Sequence, residues 1–259
     1  MSFSRPIHLK NSSLSVDKEP LSCAPLVGRS EADIRREMAA ILPKRPDLLE
    51  WRIDFFEGIA DLSRVVALGQ EIRQLAGGIP ILFTRRSIRE GGNPIPLSEA
   101  QVFAMNEAVC RSGAVDLFDY ELSVEAPYFS HAVALAKETG VRLVASFHNF
   151  AETPSADELL AKFVAMEAAG ADIAKIAVMP NDLRDVLTLL EATLAARNTL
   201  EIPVISMSMG GFGSLTRLFG WVFGSSVSFA VGDQASAPGQ VPIEHLNAVV
   251  EIVQKALKA

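Results

Sequence analysis

A single lysine, Lys175, lies in the middle of an apolar stretch, residues 171–178, which reads ADIAKIAV. The β-branched Ile173 and Ile176, and the stop imposed by Pro180, predict a short buried strand. Burying an unpaired ammonium is very costly, so a lysine there must be paired or must lose its proton. A deprotonated lysine is an amine nucleophile that can form a Schiff base with a carbonyl. The alternative is a lysine at a strand end whose charge reaches solvent or a carboxylate.

Other polar side chains stand at or just after the ends of separate apolar runs. Taken alone, each has an ordinary explanation: Glu50 and Arg52 as a structural ion pair, and His148 as a hydrogen-bonded core histidine. Taken together, they place acid, base and amine candidates at strand ends. The set is Glu50 and Arg52 on the second run, Arg86, Arg89 and Glu90 after the third, Glu121 in the fourth, His148 at the end of the fifth, Arg217 after the seventh, and Ser236 and Gln240 after the eighth.

These residue types form a coherent chemical group. A lysine amine, a histidine that exchanges protons near neutral pH and a carboxylate that orients it make an iminium-based acid/base site. Arginines with Ser236 and Gln240 suit a small substrate that carries a carboxylate and several hydroxyls. Asp116, Asp119 and Glu121 are interpreted as structural carboxylates that neutralise arginines.

The elements that would hold these residues repeat from about residue 19 to the end of the chain. Eight strand–helix units at intervals of about thirty residues predict a single (β/α)8 TIM barrel with eight parallel strands. The active site of such a barrel lies where the strands end, so the polar residues above would meet. A doubly wound fold is disfavoured, because no glycine-rich dinucleotide fingerprint follows the first strand. The predicted strands are 21–27, 48–54, 79–84, 114–122, 141–146, 171–178, 202–207 and 227–231.

The helix ends are also readable. Ser30 and Ser98 predict N-caps with a capping partner three residues later. Thr153 followed by Pro154 predicts another helix start. After the seventh strand, a glycine-rich turn and a short helix over 215–223 are expected. Residues 1–18 carry little periodicity and are expected to be a loosely ordered lead-in to one catalytic domain over residues 19–259.

Composition excludes several classes of protein. The 259-residue chain has a net charge of −7, which argues against a broad nucleic-acid or anionic-membrane surface. No apolar run reaches the length of a membrane span, and no secretory signal begins the sequence. Cys23 and Cys110 lack metal or disulfide spacing, which favours thiols in the cytoplasm. The four histidines are dispersed, so no metal is predicted, and no cofactor either.

Several motifs resemble those of one family, type I 3-dehydroquinate dehydratase, the Schiff-base-forming enzyme of the shikimate pathway. The similarity runs from about residue 19 to the C-terminus. The motifs are residues 50–54 (EWRID), 86–92 (RSIREGG), 146–150 (SFHNF), 171–177 (ADIAKIA), 206–210 (SMSMG) with Arg217, and 235–240 (ASAPGQ).

The resemblance implies a role for each position. Lys175 would form the imine, His148 would be the general acid/base, and Glu90 would orient that histidine. Arg217 would bind the substrate carboxylate. The residues around the ring hydroxyls would be Glu50, Arg52, Arg86, Ser236 and Gln240, the last two on a lid-like loop. The implied reaction is loss of water from 3-dehydroquinate to give 3-dehydroshikimate, without a cofactor.

Three positions differ from the usual family pattern: Asn149 where aspartate is common, Ala174 where proline is common and Thr216 where serine is common. None removes a catalytic group, so they bear on tuning and not on the reaction. The resemblance implies a homodimer, and it fits either aromatic biosynthesis or quinate breakdown, because both use this step.

Two other functions fit part of the pattern. A class I aldolase also uses a barrel lysine, but a phosphorylated sugar would call for a clearer phosphate site after strands seven and eight. A non-catalytic ligand-binding protein would need none of the lysine, histidine and glutamate at these positions. The sequence therefore favours the imine-forming dehydratase.

Overall fold

The main sheet of the protein is a ring of parallel strands. The computed structural model describes residues 5–9, 13–14, 19–124 and 126–258, without the side chain of Ala126. The sheet's eight strands are β3 (Leu21–Leu26), β4 (Leu48–Arg52), β5 (Ile81–Thr84), β6 (Leu117–Glu121), β7 (Arg142–Asn149), β8 (Ile173–Val178), β9 (Val204–Ser208) and β10 (Val227–Phe229), while β1 and β2 form the hairpin described below. The eight follow one another in the order β10-β3-β4-β5-β6-β7-β8-β9, each parallel to its neighbours.

The two end strands of this order meet at one point. Val204 at the start of β9 forms a parallel bridge with Ser225, and its carbonyl accepts a 2.8 Å hydrogen bond from the Ser226 amide. A helix follows each strand, which confirms the predicted single (β/α)8 barrel. The helices are α1 (Glu31–Ile41), α2 (Leu62–Ala76), α3 (Glu99–Arg111), α4 (Ala126–Thr139), α5 (Ala156–Ala168), α6 (Leu183–Thr199), α7 (Gly210–Phe223) and α8 (Ile243–Leu257).

The structure confirms two of the three predicted helix starts and contradicts the third. Ser30 and Ser98 each cap a helix and form the reciprocal capping box. The start at Thr153 is wrong, because Ser155 is the N-cap of α5 and its hydroxyl accepts from the Glu158 amide. Thr153 instead donates its hydroxyl to the Met179 carbonyl, 3.0 Å away, and so links two loops at the strand ends.

The helix α7 is longer than expected. It begins at Gly210, so the glycine-rich run forms its first turn and not a preceding loop. Gly213 explains this difference, since a Cβ there would lie 2.2 Å from the Ser208 carbonyl oxygen. Glycine therefore lets the helix start directly against the end of β9.

Inside the barrel, the side chains change character along the strands. The inward residues near the strand starts are apolar and pack together, among them Leu48, Leu82, Leu117 and Val144. Strand side chains alternate between faces, so the next inward position lies two residues further on. There the five strands β4 to β8 carry polar residues instead, while β9 and β10 carry Met207 and Phe229, and this second layer is the floor of the site described below.

A small antiparallel hairpin, β1 (Ile7–His8) with β2 (Ser13–Leu14), contributes Ile7 and Leu14 to the same apolar cluster. The lead-in predicted over residues 1–18 lies partly outside the described residues, since 1–4, 10–12 and 15–18 are not among them. Among the described helices, none is both long and apolar enough to cross a membrane.

Candidate active site

Lys175 on β8 points into the barrel and is 3% exposed. Its Nζ donates to Asp119 Oδ2 on β6 at 3.0 Å and lies 3.4 Å from Glu50 Oε1 on β4. The Phe229 ring on β10 lies beneath the same nitrogen, 4.6 Å from centroid to Nζ. Glu50 is itself fixed by the Thr84 hydroxyl, which donates at 3.0 Å. The lysine is thus a buried, paired cation, and neither a bare charge nor a side chain that reaches solvent.

Arg86, just after β5, joins the polar layer to the strand ends. Its guanidinium donates to Asp119 Oδ2 at 2.8 Å and to Glu121 Oε1 at 2.9 Å, both on β6. It also donates to the Ser146 hydroxyl at 2.9 Å, and Ser146 in turn donates to Asp119 Oδ1 at 2.6 Å. The Ser87 amide donates to Glu121 Oε1 at 2.7 Å. The neighbouring carboxylates raise the pKa of Arg86 although burial opposes its charge, so it stays cationic.

His148, the penultimate residue of β7, is held by Glu90 from the loop after β5. Its Nδ1 lies 2.9 Å from Glu90 Oε2, and the His148 amide donates to the same oxygen at 3.0 Å. Ser123 donates its hydroxyl to the other oxygen, Oε1, at 2.7 Å. Because Nδ1 is engaged, Nε2 is the ring nitrogen left to exchange a proton with a ligand.

Burial and neighbouring charges shift both members of this pair. Burial lowers the pKa of His148 well below its usual value, and the charges of Arg86 and Lys175 lower it further. Burial, together with the negative charge of Glu121, raises the pKa of Glu90 to about 7. Because the pKa of His148 is low, its imidazole is neutral near neutral pH, and this is the form that accepts a proton.

Arg52, the last residue of β4, and Arg217 on α7 line the same cavity. Arg52 is held in a bidentate pair by Asp54, with distances of 2.8 and 2.9 Å, and not by Glu50 as the ion-pair interpretation supposed. Arg217 on α7 donates to the Phe229 carbonyl at 3.4 Å and to the Pro238 carbonyl at 3.2 Å. Within the described part of the chain it has no carboxylate partner, and burial lowers its pKa to about 10.

Ser236 and Gln240 lie on the loop between β10 and α8. The Ser236 amide donates to Gln240 Oε1 at 2.9 Å, and Gln240 Nε2 donates to the Ser236 hydroxyl at 3.1 Å. Between them, Gly239 has φ +80°, and a Cβ there would lie 2.1 Å from the Gly210 carbonyl oxygen. Glycine is thus required where this loop presses on the first turn of α7.

The nine residues predicted for the site surround one cavity of about 50 Å³ at the strand ends. The rest of the lining is mostly apolar: Gly91, Phe150, Ala177, Met207, Met209, Phe229 and Ala237. A larger cavity, of about 350 Å³, is lined by Arg85, Arg89 and Ser123 among others, but not by Lys175 or His148. The smaller cavity is therefore the candidate active site, because, of these two, it is the one lined by both the amine and the imidazole.

Three carboxylates that the sequence interpretation set aside or overlooked belong to this cluster. Asp119 contacts Lys175, Glu121 contacts Arg86, and Asp54 contacts Arg52. The sequence held a signal for Asp119 and Glu121, because residues two apart on a buried strand point to the same face. The same spacing identified Glu50 and Arg52. Asp54 follows the end of β4 in a 3-10 turn, where strand periodicity no longer applies.

Within the described residues, no group of three or more histidine, cysteine or acidic side chains could hold a metal ion. What the arrangement offers is an amine on one side of the cavity, an imidazole poised to accept a proton, and a buried cation without a carboxylate partner. Such a set can bind a carboxylated carbonyl compound, form an imine with it and move a proton.

Comparisons with known proteins agree with this geometry. The family model for type I 3-dehydroquinase matches residues 22–256. The 3-dehydroquinate dehydratase of Aromatoleum aromaticum is 63% identical over 258 residues, covering 100% of this chain and 99% of the relative.

Two solved structures superpose closely. That of 3-dehydroquinate dehydratase from Geobacillus kaustophilus HTA426 has a TM-score of 0.95 and 50% identity, covering 98% of this chain and 99% of that one. A type I 3-dehydroquinate dehydratase from Clostridium difficile with covalently modified comenic acid has a TM-score of 0.93 and 36% identity, covering 97% and 99%. The chain belongs to the type I 3-dehydroquinase family, and it is a dehydratase, that is, a carbon–oxygen lyase.

Proposed function

We propose that the protein removes water from 3-dehydroquinate to give 3-dehydroshikimate through an imine on Lys175, with His148 as the general acid and base. One observation carries the proposal: the buried Lys175 amine and the His148 imidazole line the same small cavity. The names of the relatives supply the substrate, and the Clostridium difficile structure supplies a precedent for a covalently modified ligand in this family.

The reaction follows from these two groups. The Lys175 nitrogen forms a bond to the substrate carbonyl carbon, and the carbonyl oxygen leaves as water, which gives an iminium. The iminium withdraws electrons, so the neighbouring C–H becomes acidic and His148 Nε2 removes its proton. The protonated imidazole then gives that proton to the departing hydroxyl, which leaves as water. Hydrolysis of the imine releases the product and restores the amine.

The surrounding residues fit a ring with a carboxylate and several hydroxyls. Arg217 is buried without a carboxylate partner among the described residues, so a substrate carboxylate would complete its coordination. Hydroxyls would meet the side chains of Glu50, Arg52, Arg86, Ser236 and Gln240. The cavity of about 50 Å³ is small for such a ring, and we propose that the loop between β10 and α8, which carries Ser236 and Gln240, moves to admit it.

Reductive trapping tests the proposed function. Incubation with 3-dehydroquinate and borohydride is expected to give a reduced adduct on Lys175, located by peptide mass spectrometry. A protein incubated without ligand is the control. No adduct, or an adduct on another lysine, would refute the imine mechanism, and the same assay separates it from non-covalent ligand binding.

The substitution Glu90→Gln tests the orienting carboxylate. Glutamine does not titrate, so the part of the kcat–pH profile that follows Glu90, whose pKa burial raises to about 7, should disappear. The acid limb should then move to the lower pH at which His148 itself is protonated. We expect kcat to fall by about 10- to 100-fold, because the amide no longer favours the required tautomer. Ser155→Ala, which removes a helix cap outside the cavity, should leave the profile unchanged. An unaltered acid limb in Glu90→Gln would contradict this role.

Three further properties belong to the proposal. A homodimer is supported by exposed apolar side chains on neighbouring helices, Leu183 and Leu187 on α6 with Phe212 and Leu215 on α7, and sedimentation velocity would test it. A cytoplasmic location is supported by the two buried free cysteines, Cys23 and Cys110. A catalytic domain over residues 19–259 is supported by the matched range 22–256.

A further inference from the structure

Asp119 contacts the Lys175 nitrogen but does not line the active-site cavity. Its side chain has no solvent exposure. A ligand in that cavity would therefore reach Lys175 but not Asp119. The contact of 3.0 Å between Nζ and Oδ2 thus joins the amine to a carboxylate on the side away from the substrate.

Both oxygens of Asp119 are held in place. Ser146 donates to Oδ1 at 2.6 Å, while Arg86 donates to Oδ2 at 2.8 Å, beside the lysine. The positive charges of Arg86 and Lys175 lower the pKa of Asp119 below its usual value even though burial opposes this. The carboxylate therefore stays ionised, and it has no freedom to turn towards a substrate.

The other groups around the lysine have different positions. Glu50 on β4 lies 3.4 Å from Nζ, but it lines the cavity and so faces the substrate as well. His148 at the end of β7 and Arg217 on α7 also line the cavity, and Arg86 approaches from the loop after β5. Cys23 on β3 lies nearby as a buried thiol, whose pKa burial raises. Asp119 is the fixed anion that contacts the nitrogen from outside the cavity.

The charge on the Lys175 nitrogen before and after imine formation shows what a fixed carboxylate beside it does. An ammonium reacts with a carbonyl to give an iminium and one molecule of water, so the nitrogen carries one positive charge before and after. A carboxylate fixed against the ammonium is therefore already in place for the iminium, and no reorganisation is needed. The iminium is an electron sink only while it keeps its proton.

We propose that Asp119 is the counter-ion of the iminium on Lys175, holding that nitrogen protonated while His148 removes the substrate proton. The inference rests on the proposed imine mechanism. It assigns to Asp119 an electrostatic task that is separate from proton transfer and from substrate binding.

The substitution Asp119→Asn tests this assignment, since the amide keeps the shape and removes the charge. The probe is 3-dehydroshikimate with cyanoborohydride, which reduces a protonated imine and not a neutral one, followed by mass spectrometry of the Lys175 peptide over a range of pH. Without the anion the iminium releases its proton more readily, so the upper pH limit of trapping should fall by about one to three units. We expect kcat for dehydration to fall on the order of 10²-fold.

Asp116→Asn is the matched control. Asp116 precedes the same strand, pairs with Arg73 and accepts from the Ile81 amide at 2.8 Å, at the opposite end of the barrel. It should lower stability without moving the pH limit of trapping. An Asp119→Asn protein that folds and keeps the wild-type limit would overturn the proposal.

If Asp119→Asn does not fold, the counter-ion proposal is tested on the wild-type protein instead. Its upper pH limit of trapping is expected to lie above that of the same imine formed on an N-acetyl-lysine amide in solution, and an equal or lower limit would overturn the counter-ion. If the wild-type protein gives no adduct on Lys175 at any pH, the imine mechanism itself is refuted. A failure of the proposed function is thereby distinguished from a failure of the counter-ion proposal.

Discussion

Replacing Lys175 with methionine should lower kcat by on the order of 10⁴-fold or more, the scale expected when a covalent nucleophile is deleted. Methionine fills most of the lysine volume but cannot form an imine. The imidazole of His148 would then face a ketone whose neighbouring proton is far less acidic than that of an iminium. Steady-state kinetics, with single-turnover measurement of the residual rate, would test this.

Two measurements separate loss of the nucleophile from loss of the fold. Because Asp119 and Glu50 lose their cation, urea unfolding should show a protein destabilised by roughly 3–5 kcal/mol. Binding of 3-dehydroshikimate, followed by calorimetry, should persist, because Arg217 remains. Lys162→Met is the control, since Lys162 lies over the Phe147 ring and outside the cavity lining, and its kcat should equal that of the wild type. Substantial turnover by the Lys175 variant would refute its role.

Replacing Arg86 with methionine is expected to lower the free energy of unfolding by about 3–5 kcal/mol, because breaking a buried ion pair leaves an uncompensated charge. Arg86 contacts Asp119 and Glu121 directly, and its Nη1 lies 3.6 Å from Glu90 Oε2. Its own side chain is 4% exposed. Activity should also be lost, since the same guanidinium positions the carboxylates beside both the lysine and the histidine.

The loss should depend on pH with a defined sign. Arg86 holds the pKa of Asp119 below its usual value, which contributes stability above the unfolded pKa. In the variant the pKa of Asp119 rises, so protonation relieves the unpaired charge as the pH falls. Urea unfolding should therefore show a larger difference from wild type at pH about 7.5 than at pH about 5.

Arg111 provides the contrast for this experiment. It also makes two ion pairs, with Glu107 at 3.0 Å and Glu138 at 2.9 Å, but on the outer surface of α3. Solvent screens these pairs, so Arg111→Met should leave the free energy of unfolding nearly unchanged. Equal losses in the two variants would show that burial is not the reason for the effect.

The substitutions at Lys175 and Arg86 both affect the polar layer that lies above the apolar layer inside the barrel. Apolar side chains fill the barrel at the strand starts, with Leu117 and Ile173 among them. Two residues later the same strands carry Asp119 and Lys175, which contact each other. The apolar layer excludes water from below, so the charges above it interact strongly and must be paired within the protein.

The amino-acid sequence by itself predicted the architecture and the nine polar and charged residues that line the cavity. Eight apolar runs at regular intervals specify eight strands, because parallel strands buried on both faces are apolar throughout. A charge within or after such a run then stands out, which is why Lys175 and His148 could be placed at one end of one barrel. These properties are local along the chain, so they are readable without coordinates.

Only the tertiary structure decided which charges are partners. Glu50 and Arg52 are neighbours in sequence and share a face, yet Glu50 contacts Lys175 and Arg52 contacts Asp54. Lys175 and Asp119 are 56 residues apart in the chain, and they meet because β6, β7 and β8 are adjacent in the closed sheet. Pairing in a barrel depends on strand register and closure, which no local pattern encodes, and so the contact between Asp119 and Lys175 became visible only in three dimensions.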